Sequence, residues 1–312
     1  MISVVLPTHN PDPERFSQTL SGLLKQSIAK EDWELVVVDN RSETPISVES
    51  LENQVKKRVN LICQPRLGLS FARLAGIEAA KNDTIVFCDD DNILHEDFLR
   101  NAVKLTSKNP NVGVAGGKSI PLFLSNPPSW YKTGLAPLGC QDFGEDDYVF
   151  TSGQFNRDKR YPDRAPIGAG MVFRKKAMES WKLNVGRSQI TDRKGSQLSS
   201  AGDCDMVLHA LESGYDCAYW PQLELKHLIP SSRLAEKYLA AISRAAFRDF
   251  VIVLDMHRIC PWSRISRFSF CLRVLKSWLQ CKAWRGPVER IRWQSSVGQF
   301  EGRVALVMKE RD

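Results

Sequence analysis

Three consecutive aspartates, Asp89-Asp90-Asp91, followed by Asn92, stand directly after the apolar run Thr84 to Cys88. Two such carboxylates about 5 Å apart repel by roughly 3 kcal/mol at an effective dielectric of about 20, so the run demands a nearby cation. A divalent ion, Mg2+ or Mn2+, bridging carboxylate and a substrate diphosphate meets that demand with hard oxygen ligands. Capping of a helix expected over about 96–104 is the plainer use of Asp91 and Asn92, but a cap needs one such residue. Asp39 ends another apolar run, where a carboxylate can accept from a nucleotide base or ribose or simply close a turn. Gly202-Asp203-Cys204-Asp205 opens a helical segment, and either carboxylate suits a cap or first-turn position there. His227 ends the strand-like stretch Leu223 to Lys226 and is a candidate metal ligand, although a lone histidine is more often structural.

Residues so far apart in sequence meet only if a scaffold gathers the ends of its elements. The runs Ile2 to Leu6, Leu35 to Val38 and Thr84 to Cys88 lack polar alternation, the pattern of parallel strands covered on both faces. Helix-like segments Glu14 to Gln26 and Ser70 to Lys81 lie between them, and the alternation predicts an α/β domain. Ligands in such sheets bind outside the carboxyl ends of the strands, where Thr8-His9-Asn10, Asp39-Asn40 and Asp89 to Asn92 fall. The stretch 118–166 is rich in Pro, Gly and aromatics, including Trp130-Tyr131, and reads as shaped loops. A turn at Gly168-Ala169-Gly170 then leads into the strand-like Met171-Val172-Phe173, and a helix is expected over 205–213. Beyond Pro230 the chain reads as helical and basic, so a catalytic domain over 1–230 and a helical, basic C-terminal region over 231–312 are expected.

At 312 residues and 43% hydrophobic content, the chain can bury a substantial core. Its formal charge of +7 favours anionic partners. No recognised module points to nucleic acid. The eight scattered cysteines, with no Cys-x-x-Cys pair, read as free thiols rather than a zinc or disulfide framework. No basic leader precedes the first apolar run, so a cytoplasmic protein is expected.

Taken in order from Met1 to about His227, these segments resemble the family-2 glycosyltransferases, inverting enzymes of the GT-A fold that use nucleotide sugars. Val5-Leu6-Pro7-Thr8-His9-Asn10 looks like the family's opening strand and turn, and Val36-Val37-Val38-Asp39 like its second strand with the nucleotide-binding aspartate. Gly68-Leu69-Ser70-Phe71-Ala72-Arg73 is similar to its Gly-x-x-x-Ala-Arg helix start, although Leu74 follows where asparagine is common. Phe87-Cys88-Asp89-Asp90-Asp91 resembles its Asp-x-Asp motif. Ile167 to Arg174 looks like its acceptor-side segment, and Gly202-Asp203 like its Glu-Asp pair, with glycine in place of the glutamate.

The resemblance implies a GT-A-type, Rossmann-like mixed sheet flanked by helices. It implies donor contacts at Pro7, Thr8, Asn10, Asp39, Arg73, Asp89 and Asp90, a divalent cation at Asp91 with His227, and Asp203 as general base. The acceptor side would comprise Gly170, Asp205 and the aromatic pair Trp130-Tyr131, for which a plain hydrophobic plug is the alternative. The expected reaction carries a sugar, UDP being the favoured carrier, to the hydroxyl of a saccharide or lipid-linked acceptor in cell-surface polysaccharide or glycolipid synthesis. A non-catalytic binding protein of the same fold is the alternative that Gly202 favours. A sugar-phosphate nucleotidyltransferase would need a Gly-rich phosphate loop where this chain has Thr8-His9-Asn10-Pro11-Asp12. Toward the C-terminus, cations from Arg264 to Arg292 interleave with Phe268, Leu272, Leu275, Trp278, Leu279, Trp284 and Trp293. That pattern fits either an anionic membrane surface or helices packed on the catalytic domain.

Overall fold

The computed structural model describes residues 1–186 and 198–308. Residues 309–312 of the expected C-terminal region lie outside them. The strands are β1 (Ile2–Thr8), β2 (Trp33–Asp39), β3 (Val59–Cys63), β4 (Thr84–Phe87), β5 (Asn92–Leu94), β6 (Val112–Gly116), β7 (Ser119–Phe123), β8 (Tyr148–Phe150), β9 (Val172–Arg174), β10 (Asp216–Tyr219) and β11 (Leu225–Ile229). The helices are α1 (Pro13–Leu24), α2 (Val48–Val55), α3 (Leu69–Ala79), α4 (Phe98–Lys108), α5 (Ser152–Asp158), α6 (Glu179–Asn184), α7 (Gly202–Glu212), α8 (Glu236–Met256), α9 (Arg267–Cys281) and α10 (Pro287–Met308).

Eight strands form one mixed sheet in the order β3-β2-β1-β4-β9-β6-β10-β8. The first four run parallel, and β9 lies antiparallel to both β4 and β6. The uninterrupted apolar runs are explained by layers on both faces. Val5, Val36, Val38, Ile85 and Phe87 pack into a cluster with residues of α3, α7 and α8. Ile2, Val4, Leu6, Val37 and Val86 turn the other way, toward Leu20 and Leu23 of α1 and Leu99 and Ala102 of α4. Val253 and Leu254 of α8 belong to the first cluster, so this C-terminal helix packs into the sheet's core.

A second, three-stranded sheet, β5-β11-β7, determines where His227 lies. Its pairing of β11 with β5 sets His227 opposite Asn92, one residue from Asp91. His227 is therefore mid-strand, not beyond a strand end, because β11 continues to Ile229 in hydrogen-bonded register with β7. The stretch expected as loops, 118–166, contributes β7, β8 and the short helix α5. Thr151 and Gln154 cap α5 reciprocally, a signature absent from a reading by Pro and Gly content. Asp91 does not cap α4, whose N-cap is Asp97.

Candidate active site

The carboxyl ends of β1 and β4, the first turns of α1, α3 and α7, and the segment Pro137-Leu138-Gly139 enclose a cleft of about 380 Å³. That is within the usual range for a small-molecule site. Pro7, Thr8, Asn10, Arg73, Asp89, Asp90, Asp91, Asp203 and His227 all line it.

Asp91 is the electrostatic centre of the cleft, and it is buried rather than lying at an exposed strand end. Its Oδ2 lies 2.9 Å from Arg233 Nη1 and 3.6 Å from Arg15 Nη1, and its Oδ1 lies 3.4 Å from His227 Nε2. Asn92 donates to Oδ1 at 3.2 Å, and the Asp91 carbonyl accepts from Leu228 N–H at 2.9 Å, which ties the aspartate to β11. Burial opposes charge on His227, but Asp91, with a smaller contribution from Cys140, outweighs it and raises the ring to about 10.

Asp90 turns toward β1, where the Thr8 hydroxyl donates to its carboxylate. Burial, and then the negative charge of Asp91, push Asp90 up to about 7 despite that bond. Asp89 faces Arg73, with Oδ1 at 3.7 Å from Nη2. That same oxygen is buried and has no hydrogen-bond partner among the described residues, a position that suits an incoming cation or donor group. Arg73 reaches it by lying over the Phe87 ring and passing Gly168, where an added Cβ would sit 2.3 Å from Nη2. A side chain at position 168 would displace the guanidinium.

Asp203, in the first turn of α7, approaches from the opposite side. Gly168 N–H donates to its Oδ2 at 2.9 Å and Cys204 N–H to its Oδ1 at 2.9 Å. A carboxylate has about four acceptor positions, so capacity remains for a substrate hydroxyl. Asp91 and His227 together present a carboxylate and an imidazole, ligand types that a divalent cation takes. Asp91 Oδ1 and His227 Nε2, at 3.4 Å, are near the separation of adjacent octahedral ligands, about 3 Å for bonds of about 2.1 Å.

A family model, that of glycosyl transferase family 2, matches residues 3–180. The chain belongs to this family. Among curated family members, it is 29% identical to the glucosyl-dolichyl phosphate glucuronosyltransferase of Haloferax volcanii over 231 residues, 72% of this chain and 68% of that one. Two poly(ribitol-phosphate) β-N-acetylglucosaminyltransferases of Staphylococcus aureus are also similar. TarP is 30% identical over 132 residues, 38% of this chain and 39% of that one, and TarS is 28% identical over 99% of this chain but 51% of that one. The chain thus spans about half the length of TarS, and less of TarP. A crystal structure of S. aureus TarS 1-349 in complex with UDP-GlcNAc superposes with a TM-score of 0.54 at 15% identity, covering 99% of this chain and 92% of that one. The fold is therefore GT-A, with a large mixed sheet flanked by helices.

The remaining residues expected at the family's site lie outside the cleft lining. Asp39 is buried beside it and accepts from Ser42 N–H at 2.9 Å, closing the turn after β2. Its neighbour Asn40 lines the cleft, and its amide satisfies Gly68 N–H and the carbonyls of Gln64 and Arg66. Gly170 has φ +69 and would meet Leu225 at 2.4 Å if it carried a Cβ, so its backbone and packing both require glycine. Trp130 and Tyr131 are half-buried against a satellite core with Leu138, Ile229 and Leu239, and Tyr131 meets Phe123 edge-on at 5.6 Å. Asp205 turns into the interior toward His257. Arg15 and Arg233 carry no signal of this role in the sequence, whereas Asn40 and Gly168 fall within segments already expected at the site. Arg233 lies in a 3-10 turn, Ser231–Leu234, six residues after His227, and only the path of the chain after β11 brings it back over Asp91.

Proposed function

We propose that this chain transfers a sugar from a nucleoside-diphosphate sugar, a UDP-sugar, to an acceptor hydroxyl with inversion at the anomeric carbon. The observation that carries this reading is one cleft lined both by the cation-paired carboxylates Asp89 and Asp91 and by Asp203, which is held by two backbone N–H groups. Arg15, Arg73 and Arg233 offer guanidinium groups to a diphosphate. A divalent cation held by Asp91 with His227 would offset charge developing on the departing diphosphate. Asp203 accepts the acceptor's proton during attack, and a single displacement inverts the centre. The named relatives support a role in cell-surface polysaccharide or glycolipid synthesis.

A UDP-sugar panel with manganese or magnesium tests this through nucleotide release and proton NMR of the new anomeric centre. Turnover with inversion is expected. Retained configuration overturns the mechanism, and donor binding without turnover favours a binding protein instead.

The same reading locates the enzyme at the cytoplasmic face of an anionic membrane. No described helix is long and apolar enough to cross a bilayer. Helix α9, however, carries no carboxylate, and Phe268, Leu272, Leu275 and Leu279 are 53–78% exposed at helical spacing. Its inner side rests on α10, where Trp293 Nε1 donates to the Val274 carbonyl at 3.3 Å. An apolar stripe flanked by Arg267, Arg273, Lys276 and Lys282 matches an anionic lipid surface. Flotation with anionic liposomes is expected to recover the protein at low salt. A Leu272→Glu/Leu275→Glu variant that floats equally well would refute the role of α9.

A further inference from the structure

Away from the cleft, where α7 meets the end of α8, lies a separate cluster of chemistry-bearing side chains. Asp205 and His209 are four residues apart on α7 and share a face. His257, the residue that terminates α8, comes against them. All are buried, at 5%, 7% and 9% exposure respectively, and none lines the cleft.

The geometry converges on one carboxylate oxygen. Asp205 Oδ1 is 2.9 Å from His257 Nε2 and 3.7 Å from His209 Nε2. One ligand atom from each residue lies within 4.8 Å of the others. Tetrahedral ligands about 2.0–2.1 Å from zinc sit about 3.3 Å apart, so small rotations of the two rings close the set. The rings meet edge to face, centroids 4.9 Å apart, which leaves both Nε2 atoms directed at Asp205.

Outer partners hold both rings in a ligating orientation. His257 Nδ1 lies 2.9 Å from Glu212 Oε1, and His209 Nδ1 lies 3.0 Å from Ser180 Oγ. A histidine that ligates through one nitrogen and is fixed through the other by a carboxylate or hydroxyl is the usual construction around zinc.

We propose that Asp205, His209 and His257 form a zinc site, distinct from the cleft, that joins the base-bearing start of α7 to the end of α8. Three protein ligands leave a fourth position for water. The assignment does not depend on the transfer reaction, since binding is measured on the full chain without donor or acceptor.

The test strips the full-length protein with chelator, restores zinc, and measures bound metal by elemental analysis and the unfolding temperature. One zinc per chain and a higher unfolding temperature are expected in the wild type and in Asp91→Asn. Both should be lost in His209→Gln, which removes a ligand while keeping a polar group near Ser180. No stoichiometric zinc in the wild type, zinc retained by His209→Gln, or zinc lost with Asp91→Asn overturns the proposal. If His209→Gln does not fold, cobalt added to the stripped wild type decides. Intense visible bands of a tetrahedral nitrogen and oxygen set support the site, and the pale spectrum of aqueous cobalt sinks it.

Discussion

Asp89-Asp90-Asp91 after β4 and Asp203-Cys204-Asp205 at the start of α7 are both acidic runs at the edge of an element, yet they meet different surroundings. Around the first, cations from distant parts of the chain converge: Arg15, Arg233 and His227 on Asp91, and Arg73 on Asp89. The second run divides. Residues two apart on a helix point about 200° apart, so Asp203 faces the cleft while Asp205 faces the interior. No described arginine or lysine pairs with Asp203, which is held by two backbone N–H groups. Cationic company keeps Asp91 ionised and offers charge to a diphosphate, whereas a carboxylate held by neutral donors is better able to take a proton.

The largest effect should come from the cation-rich run. Asp91→Asn is expected to abolish metal-dependent turnover, measured as nucleotide release at limiting manganese. It should also lower the unfolding temperature, because Arg15, Arg233 and His227 lose their shared counter-charge in a buried setting. Full activity in a folded Asp91→Asn protein would remove the metal from this site. Next in size, Asp203→Asn should retain donor affinity and lose roughly 100-fold or more in transfer, the usual worth of a positioned base. If titration calorimetry showed donor binding falling in step with turnover, the two acidic runs would not have separate roles.

The sequence displayed the first run well because strand, turn and carboxylates are contiguous there. β1, β2 and β4 carry apolar runs rich in Val, Ile and Leu, and α1 and α3 lie close to their expected spans. What it concealed depends on pairing over long separations. β5, β7 and β11 are short and gain their order only from one another, so their register, and with it the position of His227, has no local signal. Arg15 lies in an ordinary amphipathic helix and Arg233 in a Ser-Ser-Arg turn, and nothing in either segment distinguishes them from solvated cations. Asp205 was read with Asp203 as part of one motif. The helix begins at Gly202, three residues earlier than the expected start, and that phase sends Asp205 inward.

The arginines sharpen the comparison at a smaller scale. If they serve the donor's diphosphate, Arg233→Gln should raise the donor Michaelis constant about tenfold, equivalent to about 1.4 kcal/mol. The acceptor constant should stay within a factor of about two, since the lost charge-assisted contact belongs to the donor. An unchanged donor constant, with less manganese needed for half-maximal rate, would mean that Arg233 only neutralises Asp91.

The smallest expected effect concerns the acceptor side, where neutral surroundings should matter more than charge. Trp130 and Tyr131 stand behind the cleft, but Leu138, which packs with them, lines it together with Pro137 and Gly139. The His227 ring also rests on this segment, with Nδ1 3.3 Å from the Gly139 carbonyl. Truncating Trp130 therefore loosens one wall of the cleft without removing a group that carries charge. The indole is only half-buried, so Trp130→Ala should cost less than the roughly 3–5 kcal/mol of a fully buried tryptophan, and the protein should remain folded. Steady-state kinetics should then show the acceptor Michaelis constant rising by a few-fold, on the order of 1 kcal/mol, with the donor constant nearly fixed. A larger rise for the donor would place this wall against the nucleotide sugar and reverse the assignment of the two sides.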